Sequence, residues 1–508
     1  MIGAPMKPWI DIEHVDKSSP TAIERYAKQA VGMTFRQILE LDICPEGITR
    51  EYGITRYKGS MGALIEERLF NYKANSNPEP DFEDAGVELK TTCFDLKKDG
   101  SFTAGERLVL SMIPYNEPIE EDFYKTHLWR KLQDILLIYY CRDKSLSPYD
   151  QYIGYVGRFT PSEEDLEIIR QDYDTITGYL KAGRAEDLSE SLTTYLAANT
   201  KGRNAKDKSP QFYPPHTPAM RRSFSLKRSY MDAVLRGFID NAEQGQAVSR
   251  QDSIVKSAIE LRTKTFDDIV LTLINSHVGK TDRELCAELG INYTGNKAQW
   301  YTITYKLLGV RGERAEEFER ASISVRTMKA TKAGTIKESI SLDTFEFDAL
   351  LKERWEGVEE AGIPCAPLHA YFEETRFLFV VYQATNDGYT LRGARFWSMP
   401  ESDIEGPLRK CWLDTRETVR NGVQLTPTVT RTGKTHVKNN LPKEAETGTI
   451  AHVRPHTRKA AYLLEDGTEI GNIKRHAFKL PDGRWMTKQS FWLNRSYIQK
   501  IGKPLLEK

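Results

Sequence analysis

The sequence predicts a mixed α/β (α+β) fold built twice, as two tandem domains that each carry a mixed central sheet flanked by helices. Three observations predict it. Short β-rich runs are interleaved with helix-patterned runs along the chain, the order expected when helices cover a sheet. Segments of the first half also recur in the second half in the same order. SFSLKRSY (Ser223–Tyr230) returns as SFWLNRSY (Ser490–Tyr497) with six of eight letters identical. DFEDAGVELKTT from Asp81 parallels EFERASISVRTM from Glu317, RFTPSEEDLE from Arg158 parallels RFWSMPESDIE from Arg395, and GMTFRQIL from Gly32 parallels GKTDRELC from Gly279. Such collinear self-similarity is the mark of a duplicated unit. Finally, Asp240 to Ser253 is polar and lacks a core-forming period, as a connection should. The expected division is a first domain over 1–240, a linker over 241–254 and a second domain over 255–508, each large enough for its own core.

The elements follow in order. MGALIEERLF places Met61, Leu64, Ile65 and Leu69 on one stripe of a helix. GVELKTT alternates as a strand, with Val87 and Leu89 on one face and Glu88 and Lys90 on the other. RLVLSMI and RFLFVVY are β-rich runs suited to buried strands, and HLWRKLQDILLIYY and EEDLEIIRQDYDTITGYL are expected helices. The polar stretch Gln424 to Gly448 is an expected loop or hairpin insertion.

Composition excludes several classes. A mean hydropathy of -0.54, with no uninterrupted apolar run near ~18 residues, excludes a transmembrane helix. The first residues show no basic-then-apolar signal pattern, so a cytoplasmic protein is expected. The six cysteines are scattered without a C-x-x-C pair, which argues against a disulfide scaffold or a structural zinc site. No phosphate-binding loop and no Ser-His or Cys-His pairing is legible. Lys+Arg 72 balances Asp+Glu 72, yet charge is unevenly placed. Lys201 to Tyr230 holds eight basic residues and one acid, and Arg431 to Lys508 holds 16 basic and 7 acidic residues. Two separated basic stretches suit a protein that grips phosphates on chosen faces.

PDFEDAGVELKTT carries the chemistry. Asp81 stands seven residues before Glu88, across the turn-like Asp84-Ala85-Gly86, and Lys90 shares a strand face with Glu88. This is the spacing of a PD-(D/E)xK nuclease core. Two carboxylates can hold Mg2+, a hard cation that keeps waters and a phosphate oxygen. A lysine beside them can orient a water and offset charge at phosphorus. A solvent-facing ion pair on an edge strand would carry the same letters, so spacing alone leaves the choice open.

The surroundings decide it. KGSMGALIEERLF followed by PDFEDAGVELKTT resembles the MutH family, mismatch-repair endonucleases that nick at GATC, over roughly residues 30–235. With TRFLFVVY, HVRPHT and WMTKQSFWLN, nearly the whole chain is similar to their two-domain relatives, the Sau-type GATC restriction endonucleases. The resemblance implies a duplicated MutH-like fold and assigns Asp81, Glu88 and Lys90 to the metal-binding and catalytic triad. It also gives Glu66 as an additional active-site carboxylate, with Glu67 as its neighbour, and Lys131 as a lysine reaching the site. DNA-reading positions are implied at Lys201, Arg203, Ser225, Lys227 and Arg228, and in the second domain at Arg454, His456, Lys488, Trp492 and Asn494. The chain departs from the family's Arg-Pro-Lys run at Asn199-Thr200-Lys201 and keeps Arg454-Pro455-His456 in the second copy.

The second copy lacks the catalytic set: Glu317 stands for Asp81, Ser324 for Glu88, Arg326 for Lys90 and Tyr305 for Glu66. It is expected to bind DNA without cutting it. The resemblance implies the type IIE arrangement, in which this domain holds a second GATC as an allosteric effector site. It further implies a monomer that pairs on double-stranded DNA, and a cognate DNA methyltransferase. No membrane partner is expected. The alternatives are a mismatch-repair nicking endonuclease and a non-catalytic DNA-binding regulator.

Overall fold

The structure is a computed structural model. It describes residues 10–244 and 252–507, apart from 42, 46–47, 49–51, 53–59, 74–76, 98, 144, 202–207, 357–364, 430–434 and 445–449. By packing the chain divides into two units, Met1–Ile269 with Arg314–Ser322 and Val270–Glu313 with Ile323–Lys508. This division does not follow the 241–254 linker. Residues up to 244 continue the helix Arg228–Gln244. The helix Ala258–Thr263 packs within the first unit, where Gln171 Nε2 donates to Leu261 O (2.7 Å) and Arg262 pairs with Glu167 (3.1 Å).

The strands of the first unit are β1 (Glu88–Leu96), β2 (Phe102–Ala104), β3 (Leu108–Met112), β4 (Ile135–Cys141), β5 (Ile153–Phe159), β6 (Leu196–Thr200), β7 (Lys208–Ser209), β8 (Ala219–Met220) and β9 (Arg222–Leu226). One sheet has the order β2-β1-β4-β5, with β1 and β4 parallel and the outer pairs antiparallel. β4 is buried at six of its seven positions, as a strand covered on both faces must be. Leu64 and Ile65 of the helix Ser60–Arg68 pack into the core with Val87, Leu136 and Ile138. A second, antiparallel sheet has the order β3-β9-β6. One expectation is corrected. HLWRKLQDILLIYY is not a single helix but the short helix His127–Leu132 followed by β4. Its second half is a continuous apolar run rich in β-formers, with no polar helical face. The expected long helix is present as Glu163–Lys181.

The second unit carries β10 (Ile323–Ala330), β11 (Ile340–Phe345), β12 (Arg376–Ala384), β13 (Tyr389–Trp397), β14 (Leu425–Val429), β15 (Thr435–Asn439), β16 (Ala451–Pro455), β17 (Tyr462–Leu463), β18 (Glu469–Ile470), β19 (Ala477–Lys479), β20 (Trp485–Thr487) and β21 (Gln489–Leu493). Its sheet β10-β12-β13 repeats the parallel-then-antiparallel pattern of β1-β4-β5, and β11-β21-β16 repeats β3-β9-β6. Even the register is kept. Leu196 faces Leu226 and Asn199 faces Ser223, while Ala451 faces Leu493 and Arg454 faces Ser490. The turn before β1 uses Gly86 at φ 66°, and the second copy holds Ser322 at φ 55° in the equivalent place. A left-handed serine costs on the order of 1 kcal/mol, so the turn survives although its glycine does not. The insertions are the hairpin β14–β15 and the small sheet β18-β17-β20-β19.

Candidate active site

The turn that ends in Gly86 folds Asp81 back over the start of β1. The Phe82 amide donates to Val87 O (2.9 Å), and the Leu89 amide donates to Asp81 Oδ2 (2.9 Å). Glu88, the first residue of β1, is fully buried. Its carboxylate takes two lysines. Lys90 Nζ lies 2.5 Å from Oε1, and Lys131 Nζ, from the helix His127–Leu132, lies 3.0 Å from Oε1 and 3.2 Å from Oε2. The structure therefore brings Asp81, Glu88, Lys90 and Lys131 together from three segments.

Glu66 and Glu67 divide their roles. Glu67 is turned into the core, where the Tyr52 hydroxyl donates to its Oε2 (2.6 Å). Glu66 faces the cluster: burial and then the charge of Asp81 push its pKa up to about 7, with Lys90 working the other way. Burial and the neighbouring Glu88 also raise Asp81. Three carboxylates thus repel one another in a poorly solvated place. Hard anionic oxygens in that state fit a divalent cation, which would relieve the repulsion. Among the described residues no three His, Cys, Asp or Glu side chains close around an ion by themselves. Glu88 is engaged by its lysines, and a cation here would complete its shell with water and phosphate.

A pH dependence follows. Glu66 keeps its proton to about pH 7 in the fold, while an unfolded carboxylate loses it near ~4.3. The metal-free protein therefore loses stability as pH rises from roughly 4.3 to about 7. A cation competes with that proton, so divalent-metal affinity should climb to about pH 7 and then level off. Calorimetric titrations across this range should show the climb in the wild type and a flatter profile in Glu66→Gln; equal slopes would remove Glu66 from the site.

The second copy is different. Glu317 is buried and accepts from Ser253 Oγ and from the Ile254 and Val255 amides (3.0 Å each), so its carboxylate is committed to the backbone. Ser324 and Arg326 lie on β10, where Arg326 Nη2 donates to the Tyr371 hydroxyl (3.1 Å), and Tyr305 contacts Tyr301.

The implied DNA-reading residues separate into two groups. Lys201 and Arg228 are exposed, at the end of β6 and at the start of the helix Arg228–Gln244. In the second unit the Arg454 guanidinium lies 3.7 Å above the Trp492 ring, the exposed His456 meets that ring edge-on at 5.2 Å, and Lys488 sits over Phe478. The other three are buried, a correction to the expectation that they contact DNA. Ser225 is enclosed with all of β9. Lys227 Nζ donates to Thr193 O (2.6 Å) and Ala321 O (3.2 Å). Asn494 Oδ1 lies 2.7 Å from His452 Nδ1. Arg203 lies outside the described residues. The structure also holds a Cys-His pair that the sequence does not reveal: Cys365 Sγ stands 3.3 Å from His369 Nδ1. Burial opposes charge on His369, but Cys365, Glu405 and Glu373 raise its pKa to about 10, making it the centre of an ion-pair network.

A fold of this topology, with Asp–Glu-x-Lys at the head of a central strand, is that of a MutH-like PD-(D/E)xK endonuclease. The family model described as "DNA mismatch repair enzyme MutH" matches residues 70–172, which include Asp81, Glu88, Lys90 and Lys131. MutH proteins of Haemophilus ducreyi (27% identical, 37% of this chain, 83% of theirs) and Shewanella woodyi (28%, 43% and 92%) match its first part. The type II restriction enzyme Sau3AI of Staphylococcus aureus is 36% identical over 96% of this chain and 98% of its own. The chain belongs to the Sau3AI family of type II restriction enzymes. Endonucleases of this kind use a divalent metal. No helix among the described residues is long and apolar enough to cross a membrane.

Proposed function

We propose that this restriction endonuclease cuts both strands of DNA at unmodified GATC sites with Mg2+, and that its second domain binds another GATC as an effector. The observation that carries the reading is the asymmetry of the duplication. One copy joins Asp81, Glu88, Lys90 and Lys131, whereas the other spends its retained carboxylate on backbone amides and keeps an exposed Arg454 stacked on the half-buried Trp492. Asp81 and Glu88 would hold the metal, with Glu66 beside them. When bound, it supplies Lewis-acid stabilisation of phosphate charge and a more acidic water. Lys90 orients the attacking water and offsets charge at phosphorus, and Lys131 holds the Glu88 carboxylate in place. A single site faces one scissile phosphate, and a palindrome has two. Two monomers would therefore pair on the DNA, in the cytoplasm, with a cognate methyltransferase protecting the host sites.

The test is a digest of unmethylated supercoiled plasmids carrying one or several GATC sites, with Mg2+ and with EDTA. Fast double-strand cutting of the multi-site plasmid and slow cutting of the single-site one is expected, with neither cut in EDTA. Nicked circles alone would favour the repair nickase. Binding without cleavage would make the protein a non-catalytic regulator.

A further inference from the structure

The first copy lacks an arginine at a position where the second copy exposes one. The matched registers make Asn199 the equivalent of Arg454, since both face the serine that opens the repeated SF-x-L run of the central strand. Leu108 faces Leu226 and Ile340 faces Leu493, so the residue before each, Arg107 and Ser339, is likewise equivalent. The two copies therefore carry one arginine each at this pair of positions, one just ahead of the first flanking strand and the other on the second: Arg107 with Asn199 in the first copy, Ser339 with Arg454 in the second.

In the first copy the Arg107 guanidinium reaches position 199 from the neighbouring segment. Arg107 Nη1 donates to Asn199 Oδ1 and to Glu190 Oε2 (2.5 Å). Both acceptors are buried, at 1% and 2% exposure, while 36% of the Arg107 side chain remains exposed. Asn199 must turn its oxygen to the cation, and its Nδ2 finds no partner among the described residues. A buried polar donor left unsatisfied costs stability, so this arrangement holds Arg107 in place at some expense. The neighbourhood is that of the catalytic strand. Glu106 accepts a hydrogen bond from Thr92 Oγ1, two residues beyond Lys90 on β1. β3, which Arg107 precedes, packs against the helix that carries Lys131. Asn199 is two residues from the exposed Lys201.

We propose that Arg107 is the arginine with which the catalytic domain reads a guanine of its site, replacing the arginine absent at position 199. A guanidinium fork fixed by two buried acceptors suits the paired O6 and N7 acceptors of guanine in the major groove. A phosphate can take the same fork, so a base-modified duplex is what separates the two contacts. The inference rests on the proposed GATC specificity.

The experiment measures single-turnover cleavage of a GATC duplex, and of the same duplex with 7-deazaguanine at the site, by wild type, Arg107→Ala and Arg107→Lys. Binding to a duplex without the site and thermal unfolding are followed alongside. Arg107→Ala should cut the normal site roughly 10- to 100-fold more slowly, and the 7-deaza duplex no more slowly still. Arg107→Lys, which keeps a cation beside Glu190, should unfold like wild type, bind non-site DNA equally and cut as poorly as the alanine variant. Wild-type cleavage rates in Arg107→Ala, rescue by lysine, or base and protein changes whose effects multiply would each overturn the inference. Failure of the wild type to cut GATC would instead overturn the specificity on which it rests.

Discussion

Lys90→Ala should lower the rate of phosphodiester cleavage by roughly 10²- to 10⁴-fold, the range for losing one positioned electrostatic or proton-handling group, while DNA is still bound. Lys90 projects from β1, largely buried, with its ammonium against Glu88. Nothing else on that strand face can replace it. The change should not unfold the protein, because Glu88 keeps Lys131 at 3.0 Å as a second counter-charge. Arginine at position 90 should rescue poorly, since a longer planar group does not fit where a point charge meets a buried carboxylate. Single-turnover cleavage and filter binding with the same labelled duplex separate the two effects. Unchanged cleavage would remove the proposed mechanism altogether.

Lys227→Ala should act in the opposite sense, costing stability and leaving the DNA affinity of the folded protein intact. Lys227 is 1% exposed, and its ammonium is held by the carbonyls of Thr193 and Ala321. Its charge also acts on Asp172, a fully buried carboxylate that accepts the Thr194, Tyr195 and Leu196 amides at the entrance to β6. Burial lifts the Asp172 pKa to about 6, and the amides and Lys227 hold it from rising further. Without the lysine, two carbonyls and an anion lose a partner inside the protein, a loss of about 2–4 kcal/mol. Urea unfolding followed by tryptophan fluorescence should show the midpoint fall. A variant with wild-type stability that no longer binds DNA would make Lys227 a DNA contact after all.

The contrast between these two lysines shows what was legible in the sequence. Asp81, Glu88 and Lys90 are close in the chain and joined by a turn and a strand, so their spacing carries their geometry. The duplication was legible as well, because repeated letters hold the same strands in the same register. Exposure was not. SFSLKRSY and SFWLNRSY mark equivalent places, yet β9 is buried at every residue and Lys227 after it is buried too, so matching letters carried no information about exposure. The split of HLWRKLQDILLIYY was missed because an apolar run of that length reads equally as helix or strand. Glu317 was hidden for another reason: its partners, Ser253 to Val255, lie more than sixty residues earlier.

The segment Arg314–Ser322 gives the duplication a practical consequence. It belongs by packing to the first unit. There Arg320 grips both oxygens of Asp165 (3.0 and 2.9 Å) and its carbonyl receives the Ser229 hydroxyl. The polypeptide therefore passes from one unit to the other three times, after Ile269, Glu313 and Ser322. No single cleavage, natural or engineered, frees a whole catalytic half. A fragment that stops before 314 carries Asp81, Glu88, Lys90 and Lys131 but loses the helix whose Ala321 carbonyl receives Lys227 and whose Arg320 pairs with Asp165. By packing, the two copies are interleaved along the chain and do not part at a single peptide bond.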